Sequence, residues 1–250
     1  MPETAPVSSL RDRVALVTGG SGGIGAALCR ALAAEGAAVA VHHGRGREAA
    51  ERVVAGIEAS GGRAVALGAD LSAAEAPVRL ADAAQEAIGP LDVVVANAGL
   101  GERRTLDEVT LEDWEATLAV NLRAPFLLAQ HVVPGMRERG FGRLLFVSSV
   151  AAFTGGVIGP HYAAAKAGLH GLVHFLASRL AADGITANAI APALIEDTAM
   201  LPGDPGDLAE RIPVGRLGRP DEVADLALAL LRNGYVTNQV VTVDGGMHPR

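Results

Sequence analysis

Two side chains that can exchange a proton, Tyr162 and Lys166, lie four residues apart in an alanine-rich segment. At that spacing they share one face of a helix, where the lysine ammonium favours the tyrosinate. A tyrosine with an ordinary pKa of about 10 thereby becomes a usable proton donor and acceptor. Many half-exposed helix faces carry the same pair, so its meaning depends on the other residues of the chain.

A hydroxyl that can hold a substrate oxygen stands at Ser149, directly after an apolar run typical of a buried strand. Open α/β sheets place their ligands beyond the carboxyl ends of the strands. We therefore expect Ser149 to donate a hydrogen bond to the reacting oxygen.

A glycine-rich segment at residues 18–25 (TGGSGGIG) follows the first predicted strand and opens the first predicted helix. Glycines permit a tight turn there, and the helix N-terminus offers N–H groups to a pyrophosphate. A flexible turn is one alternative. A second is the G-x-S-x-G elbow of hydrolases, centred on Ser21, although that elbow follows a later strand and needs an acid and then a histidine downstream.

Strand-like and helical segments alternate along the chain, which is typical of a parallel sheet with crossover helices. The predicted strands are 14–18, 38–42, 64–67, 92–96, 144–148, 186–190 and 240–243, and the predicted helices are 23–35, 47–60, 73–88, 111–139, 162–182 and 220–232. We therefore predict an α/β protein: a single Rossmann-type, doubly wound domain over residues 1–250, with a seven-stranded parallel sheet flanked by helices. Residues 193–215 are the predicted substrate loop, with a mobile Pro/Gly-rich part at 200–212.

Composition and charge exclude several classes of protein. The formal net charge of −7 predicts no broad basic surface for nucleic acid or anionic lipid. Any phosphate group that the protein binds must therefore be bound at a local site. No apolar run is long enough for a membrane span, and Cys29 is the only cysteine. The N-terminal segment lacks the apolar stretch of a signal peptide. We expect a soluble, cytoplasmic protein that binds a small phosphorylated ligand.

The ordered set of motifs resembles the short-chain dehydrogenase/reductase family, from about residue 13 to residue 247. Residues 18–25 match TGxxxGxG, residues 97–99 match NAG, and Ser149, Tyr162 and Lys166 match the Ser…YxxxK set. Asn121 matches the asparagine that kinks a helix and ties the lysine to a proton-relay water. From the residues alone, Asn97 also suits a turn and Asn121 a buried core amide.

This resemblance implies an NAD(P)(H)-dependent oxidoreductase in which Tyr162 donates a proton to a carbonyl oxygen. Ser149 orients that oxygen, and Lys166 holds the nicotinamide ribose and lowers the pKa of Tyr162. The expected catalytic residues are Asn121, Ser149, Tyr162 and Lys166. The expected cofactor-binding residues are Gly19, Ser21, Gly22, Gly23, Ile24, Gly25, His43, Arg45, Asp70, Leu71, Asn97, Ala98, Gly99, Tyr162, Lys166, Pro192, Ile195 and Thr198.

The end of the second predicted strand bears on the choice of dinucleotide. It carries His43, Arg45 and Arg47 and no carboxylate that would grip the ribose hydroxyls of NADH and repel a 2′-phosphate. We expect NADP(H) to be preferred, with NAD(H) as the alternative. A solvated basic loop explains the same residues, and Gly22 stands where many NADPH-using relatives carry arginine.

Within the family, residues 162–169 and 243–247 look most like 3-oxoacyl-acyl-carrier-protein reductases. The expected substrate is a 3-oxoacyl thioester on acyl-carrier protein or coenzyme A, and the expected assembly is a homotetramer. Sugars, quinones and cyclic ketones or alcohols are alternative substrates, while a serine hydrolase and a catalytically silent dinucleotide-binding regulator are remote alternatives. No metal site is predicted.

Several positions depart from the family pattern or bear on it less directly. Residues 192–198 (PALIEDT) place Thr198 one position late for a carboxamide contact. Gly140 and Asp183 stand where carrier-protein enzymes tend to have basic residues, for which Arg139 and Arg179 are possible substitutes. We expect His161 to line the substrate pocket or to lie in an exposed loop. The pair His170 and His174 is expected on an exposed or interface helix face.

Overall fold

The computed structural model describes residues 9–198, 201 and 205–248. It contains a seven-stranded parallel sheet with the strand order β3-β2-β1-β4-β5-β6-β7. The strands are β1 (Val14–Val17), β2 (Ala38–His43), β3 (Arg63–Gly68), β4 (Val93–Ala96), β5 (Gly142–Val147), β6 (Ile185–Pro192) and β7 (Val240–Val243). The predicted fold class and all seven predicted strands are confirmed.

Helices cover both faces of this sheet. They are α1 (Gly23–Ala34), α2 (Arg47–Ala59), α3 (Ala76–Ile88), α4 (Leu111–Leu118), α5 (Ala124–Arg139), α6 (Ala151–Thr154), α7 (Pro160–Leu180), α8 (Pro205–Ala209) and α9 (Pro220–Arg232). No helix among the described residues is long and apolar enough to cross a membrane.

The core consists of two apolar layers, one on each side of the sheet. One layer joins α1, α2 and α9 to the sheet, and the other joins α3, α5 and α7 to it. Every residue of β1, β4 and β5 is buried, and the unbroken apolar runs of β1 and β4 are typical of strands covered on both faces. The central strands therefore form a rigid support for the loops at their carboxyl ends.

The predicted helix over 111–139 is not continuous but is interrupted around Asn121, where the family resemblance implied a kink. Between α4 and α5 the chain forms a π-helical turn, Ala119–Arg123, in which the Ala124 N–H donates to the Ala119 carbonyl five residues back. Pro125 supplies a physical reason. It has no N–H to donate to the Asn121 carbonyl, and its ring crowds the preceding turn.

The predicted substrate loop contains more regular structure than expected. Within it, α8 leads to a small apolar cluster in which Leu208, Ile212 and Leu217 are buried against Leu194 and Leu201. Residues 199, 200 and 202–204 lie outside the described residues. The described part of the segment thus has its own packed contacts.

Candidate active site

The sheet order fixes where the site must lie. From β1 the chain extends the sheet to β2 and β3, then returns to place β4 on the other side of β1. The loops after β1 and β4 therefore leave the sheet in different directions and open a crevice between them. Residues 18–25 follow β1 and residues 97–99 follow β4, so the two predicted motifs meet at this point.

The glycine-rich loop is closely packed, and two of its glycines are required. Gly19 has a φ of +66°, and a Cβ there would lie 2.9 Å from Ala98 Cα. A Cβ on Gly25 would overlap the Gly19 carbonyl oxygen. The alternative of a merely flexible turn does not fit these contacts, because the glycines allow a specific close approach.

This loop fits the pyrophosphate of a dinucleotide. Helix α1 begins at Gly23 after Gly22, so the first N–H groups of the helix lack intrahelical partners and carry the positive end of its dipole. The small residues leave the backbone open to an anion. Ser21, Gly22, Gly23 and Ile24 are the residues that would lie closest to it.

Asn97 fastens the loop to β4. Its Nδ2 atom donates to the carbonyl oxygens of Thr18 at 2.9 Å and Gly19 at 3.2 Å. In return, the Thr18 hydroxyl oxygen accepts the N–H groups of Asn97 and Ala98, both at 2.9 Å. Asn97 is therefore more than an ordinary turn former, since it ties the ends of β1 and β4 together.

Tyr162 and Ser149 face a cavity of about 150 Å³ beside this junction. Tyr162 lies in the first turn of α7 and only 6% of its surface is exposed. Burial raises the pKa of Tyr162 above its ordinary value, and a hydrogen bond with Ser149 acts in the opposite direction. The phenol is consequently protonated at neutral pH, with Ser149 as its polar partner.

Lys166 reaches the same cavity from one turn further along α7. Its Nζ atom donates to the Val147 carbonyl oxygen at 2.7 Å and lies 5.6 Å from the centre of the Tyr162 ring. Burial lowers the pKa of Lys166 to about 8. Burial is the largest influence on the pKa of Tyr162 and raises it, so the lowering effect expected of Lys166 does not set the net direction and stays a prediction.

Asn121 has a different immediate partner from the one expected. Its side chain is completely buried, accepts the Leu100 N–H at 2.7 Å and donates to the Leu100 carbonyl at 2.6 Å. Leu100 directly follows the NAG motif, so the π-helical turn holds the loop after β4 in place. Asn121 is therefore a buried amide with both its donor and its acceptor bonded, and these bonds also position the loop that borders the cavity.

The segment after β6 closes the other side of the cavity. Pro192, Ile195 and Thr198 all line it, together with Ile24 of α1 and Asn97. Thr198 donates its hydroxyl hydrogen to the Ile195 carbonyl at 2.8 Å. The displaced threonine is therefore still brought to the cavity.

The loop after β2 separates the three basic candidates. His43 is 9% exposed and its Nδ1 lies 3.1 Å from the Gly44 carbonyl oxygen. Arg47 is paired with Glu51 at 2.7 Å. Arg45 is exposed. Hydrogen bonds from Ser72 are the main cause that lowers the pKa of Asp70, which lies two residues after β3, and the charge of Arg45 acts in the same direction. Arg45 is thus the basic side chain most available to a ligand.

The remaining candidates are distributed as follows. Gly99 is exposed after β4, and Asp70 is exposed and bonded to Ser72 at 2.7 Å. Leu71 is buried in the apolar layer beneath α3 and α5, so only its backbone can face a ligand. Sequence reasoning missed His42, which accepts the Gly19 N–H. Its position at the carboxyl end of β2 was the available signal.

The other histidines differ from expectation. His161 is completely buried and does not line the cavity, so both predictions for it were wrong. His170 is half-buried, and its Nε2 atom lies 2.8 Å from the Ser148 hydroxyl oxygen. This contact was not predicted, since we expected His170 on an exposed or interface face of the helix. His174 is exposed as predicted, and its Nδ1 lies 2.6 Å from Asn238 Oδ1.

Comparisons with known proteins agree with this geometry. A family model described as short chain dehydrogenase matches residues 13–205. A 3-oxoacyl-[acyl-carrier-protein] reductase of Synechocystis is 38% identical over 246 residues, covering 96% of this chain and 99% of the relative. An acetoacetyl-CoA reductase of Allochromatium vinosum is 37% identical over 242 residues, covering 94% and 98%.

A solved structure is similar over almost the same length. It is the blue fluorescent protein from a metagenomic library in complex with NADPH, with a TM-score of 0.90 and 37% sequence identity. The match covers 97% of this chain and 100% of the other.

The chain therefore belongs to the short-chain dehydrogenase/reductase family. It is an oxidoreductase, and this family binds a nicotinamide dinucleotide. The predicted family is confirmed, and the hydrolase alternative for residues 19–23 is excluded by the same evidence.

The packing of the glycine loop makes a prediction about stability. Gly25→Ala should lower the free energy of unfolding by about 1–3 kcal/mol, because the new methyl group overlaps the Gly19 carbonyl and must displace backbone. Gly22→Ala is the matched control, since its Cβ would lie 3.7 Å from that same oxygen, an ordinary contact. Urea unfolding of both variants measures the difference, and equal stabilities would contradict the packing argument.

Proposed function

We propose that this protein reduces the ketone of a 3-oxoacyl thioester to the alcohol, with NADPH as the hydride donor. The observation that carries the proposal is the meeting of Ser149, Tyr162 and Lys166 in one small cavity beside the glycine loop. The names of two close relatives support the substrate class. A silent regulator would not need these three side chains together.

The dinucleotide would be held by elements that already fit it. Residues 18–25 would hold the pyrophosphate. Residues 97–99 would contact the adjoining ribose, and Ile195 and Thr198 would bind the carboxamide of the nicotinamide. The backbone around Leu71 and the Asp70 side chain would contact the adenine, as the family resemblance implies. When bound, the nicotinamide supplies a hydride to the carbonyl carbon.

Tyr162 would supply the proton that completes the reduction. The Tyr162 hydroxyl and the Ser149 hydroxyl both donate to the carbonyl oxygen, and the proton moves from Tyr162 as the carbon accepts the hydride pair. The raised pKa of Tyr162 keeps this proton in place at neutral pH. Lys166, charged below a pKa of about 8, stabilises the tyrosinate that results and binds the ribose.

The preference for NADPH would come from Arg45. The arginine is exposed beside Asp70, where we expect a 2′-phosphate to bind, and Arg47 is already paired with Glu51. A guanidinium–phosphate contact is charge-assisted and favours the phosphorylated dinucleotide. His43 would contribute mainly through the Gly44 backbone that it contacts.

The substrate pocket suits a short apolar ketone. Val150, Val157, Ile158, Leu194 and Leu201 contribute to its lining. For recognition of a carrier protein, Arg139 is a weak candidate because its guanidinium is bonded to Asp92 and to the Leu91 carbonyl. Arg179 is also already engaged, because its Cζ atom lies 4.1 Å from the centre of the Phe175 ring. We therefore favour coenzyme A over acyl-carrier protein, with cyclic ketones as the second candidate class.

We further propose that the chain works as a single cytoplasmic domain in a homotetramer. Apolar side chains on three helices, Leu111, Phe126 and Phe175, are 75%, 43% and 55% exposed. Symmetric contacts between copies would cover them.

The role of Tyr162 is tested by Tyr162→Phe, which removes the transferable proton and keeps the ring. With acetoacetyl-CoA and NADPH, kcat should fall at least about a hundredfold, while the Kd for the dinucleotide changes little. Stopped-flow absorbance and fluorescence titration give the two values. Near wild-type turnover in this variant would overturn the role of Tyr162.

Cofactor preference is tested by Arg45→Ala. The wild-type protein should use NADPH about tenfold or more better than NADH in kcat/KM, since a charged hydrogen bond contributes roughly 1.5–3 kcal/mol. Arg45→Ala should remove most of this preference, whereas Arg52→Ala, an exposed arginine on α2, should retain it. Equal use of both dinucleotides by the wild type would count against the proposal.

A further inference from the structure

A buried histidine outside the catalytic set is bonded to the glycine loop. His42 is the last residue but one of β2, next to His43, and is only 2% exposed. Its Nδ1 accepts the N–H of Gly19 at 3.0 Å, and its Nε2 lies 3.0 Å from the carbonyl oxygen of Ala69. Since a backbone N–H can only donate and a carbonyl can only accept, the ring must be neutral, with its hydrogen on Nε2.

His42 also holds the next residue of the loop through its backbone. Its carbonyl oxygen accepts the N–H of Gly20 at 2.8 Å. One residue thus fixes two consecutive amides at the point where the loop leaves β1. Through Ala69 it also fixes the segment that leads to Asp70 and Leu71, so it joins the pyrophosphate side of the crevice to its adenine side.

We propose that His42 is a positioning residue for dinucleotide binding, and that its protonation releases the glycine loop and weakens the affinity for the dinucleotide. A proton on Nδ1 would face the Gly19 N–H, so the bond would be replaced by a contact between two donors. The proposal rests on the proposed function only in taking residues 18–25 as the dinucleotide site. His42 does not touch the cofactor or the substrate in this role.

The groups around His42 favour its neutral form. Burial is the main cause that lowers the pKa of His42, and the charge of neighbouring His43 acts in the same direction, while the Ala69 carbonyl raises it. On the β3 side, Asp70 is exposed and bonded to Ser72, and Arg45 acts on that carboxylate. On the α1 side, burial raises the pKa of Cys29, so its thiol stays neutral.

The direction of the pH effect follows from this lowered pKa. Because the pKa of His42 is lowered, its neutral form predominates at and above the ordinary histidine pKa of about 6.5. Its contribution to loop order is therefore present at neutral pH and is lost as the pH falls from that value through the lowered pKa of His42. The affinity for the dinucleotide should decrease in the same acidic range.

Three substitutions separate the two bonds of the ring. His42→Asn places an amide oxygen near the Nδ1 position, retains an acceptor for Gly19 and does not titrate. His42→Gln places a donor near the Nε2 position, retains the Ala69 bond and loses the Gly19 bond. His42→Leu has similar bulk and loses both bonds.

Calorimetric Kd values for NADP⁺ and for NAD⁺ at pH 7.5 test the positioning role. His42→Asn should bind within about twofold of the wild type, while His42→Gln and His42→Leu should bind about fivefold to tenfold more weakly, the usual effect of losing one hydrogen bond. At saturating dinucleotide, kcat should be retained in all three. Hydrogen exchange of the peptide covering residues 19–25 should be faster in His42→Leu.

The pH arm compares the wild type with His42→Asn. Between pH 7.5 and pH 5.0 the wild-type Kd should rise at least about threefold more than that of His42→Asn. Titration of the 2′-phosphate is common to both proteins and cancels in the comparison. Parallel pH profiles, or wild-type affinity in His42→Leu, would overturn the proposal. So would equal protection of residues 19–25 in wild-type protein at pH 7.5 and pH 5.0, with each exchange rate divided by the intrinsic rate at that pH, and this result remains informative if a variant does not fold.

These outcomes are distinguishable from failure of the proposed function. A protein that shows the expected order of Kd values but reduces no 3-oxoacyl thioester would keep the role of His42 and lose the substrate assignment. If the protein bound neither dinucleotide at pH 7.5, both the role of His42 and the proposed function would be contradicted.

Discussion

The joint between the ends of β1 and β4 is the contact on which the rest of the site depends. Asn97 donates to the carbonyl oxygens of Thr18 and Gly19, and the Thr18 hydroxyl oxygen accepts hydrogen bonds from the N–H groups of Asn97 and Ala98. Parallel strands bring their carboxyl ends to one edge, but they do not by themselves align the loops that follow. These bonds fix the height of the glycine loop relative to the cavity and thereby the distance between a bound dinucleotide and Tyr162.

Burial sets the electrostatics of the proposed catalytic pair, Tyr162 and Lys166. Tyr162 and Lys166 are both almost completely buried, and burial raises the pKa of the phenol and lowers the pKa of the ammonium, because it disfavours both charged forms. The phenol therefore keeps its proton, and the lysine is held close to the pH at which it loses its charge. Such a site is suited to release a proton only when negative charge on the reacting oxygen and a bound cofactor change the balance. This favours protonation of a developing alkoxide.

Much of this arrangement could be predicted from the sequence. Apolar runs identified every strand, and the ordered spacing of residues 18–25, 97–99, 149, 162 and 166 located the site, because parallel strands place these positions at one edge. The break at residues 119–123 was not predicted from periodicity, which continues through Pro125 with apolar residues. The burial of His161 and the two bonds of His42 depend on loops from distant parts of the chain, which the local pattern does not encode.

The central claim, that hydride passes to a thioester-linked ketone in this cavity, is tested by isotope transfer. Acetoacetyl-CoA is incubated with the protein and NADPH carrying deuterium on either face of nicotinamide C4, and the product is analysed by mass spectrometry. For one of the two labelled cofactors, the 3-hydroxybutyryl product should carry one deuterium on C3, and the label should stay in the cofactor for the other. Product without deuterium from both cofactors, or no product at all, would contradict the account.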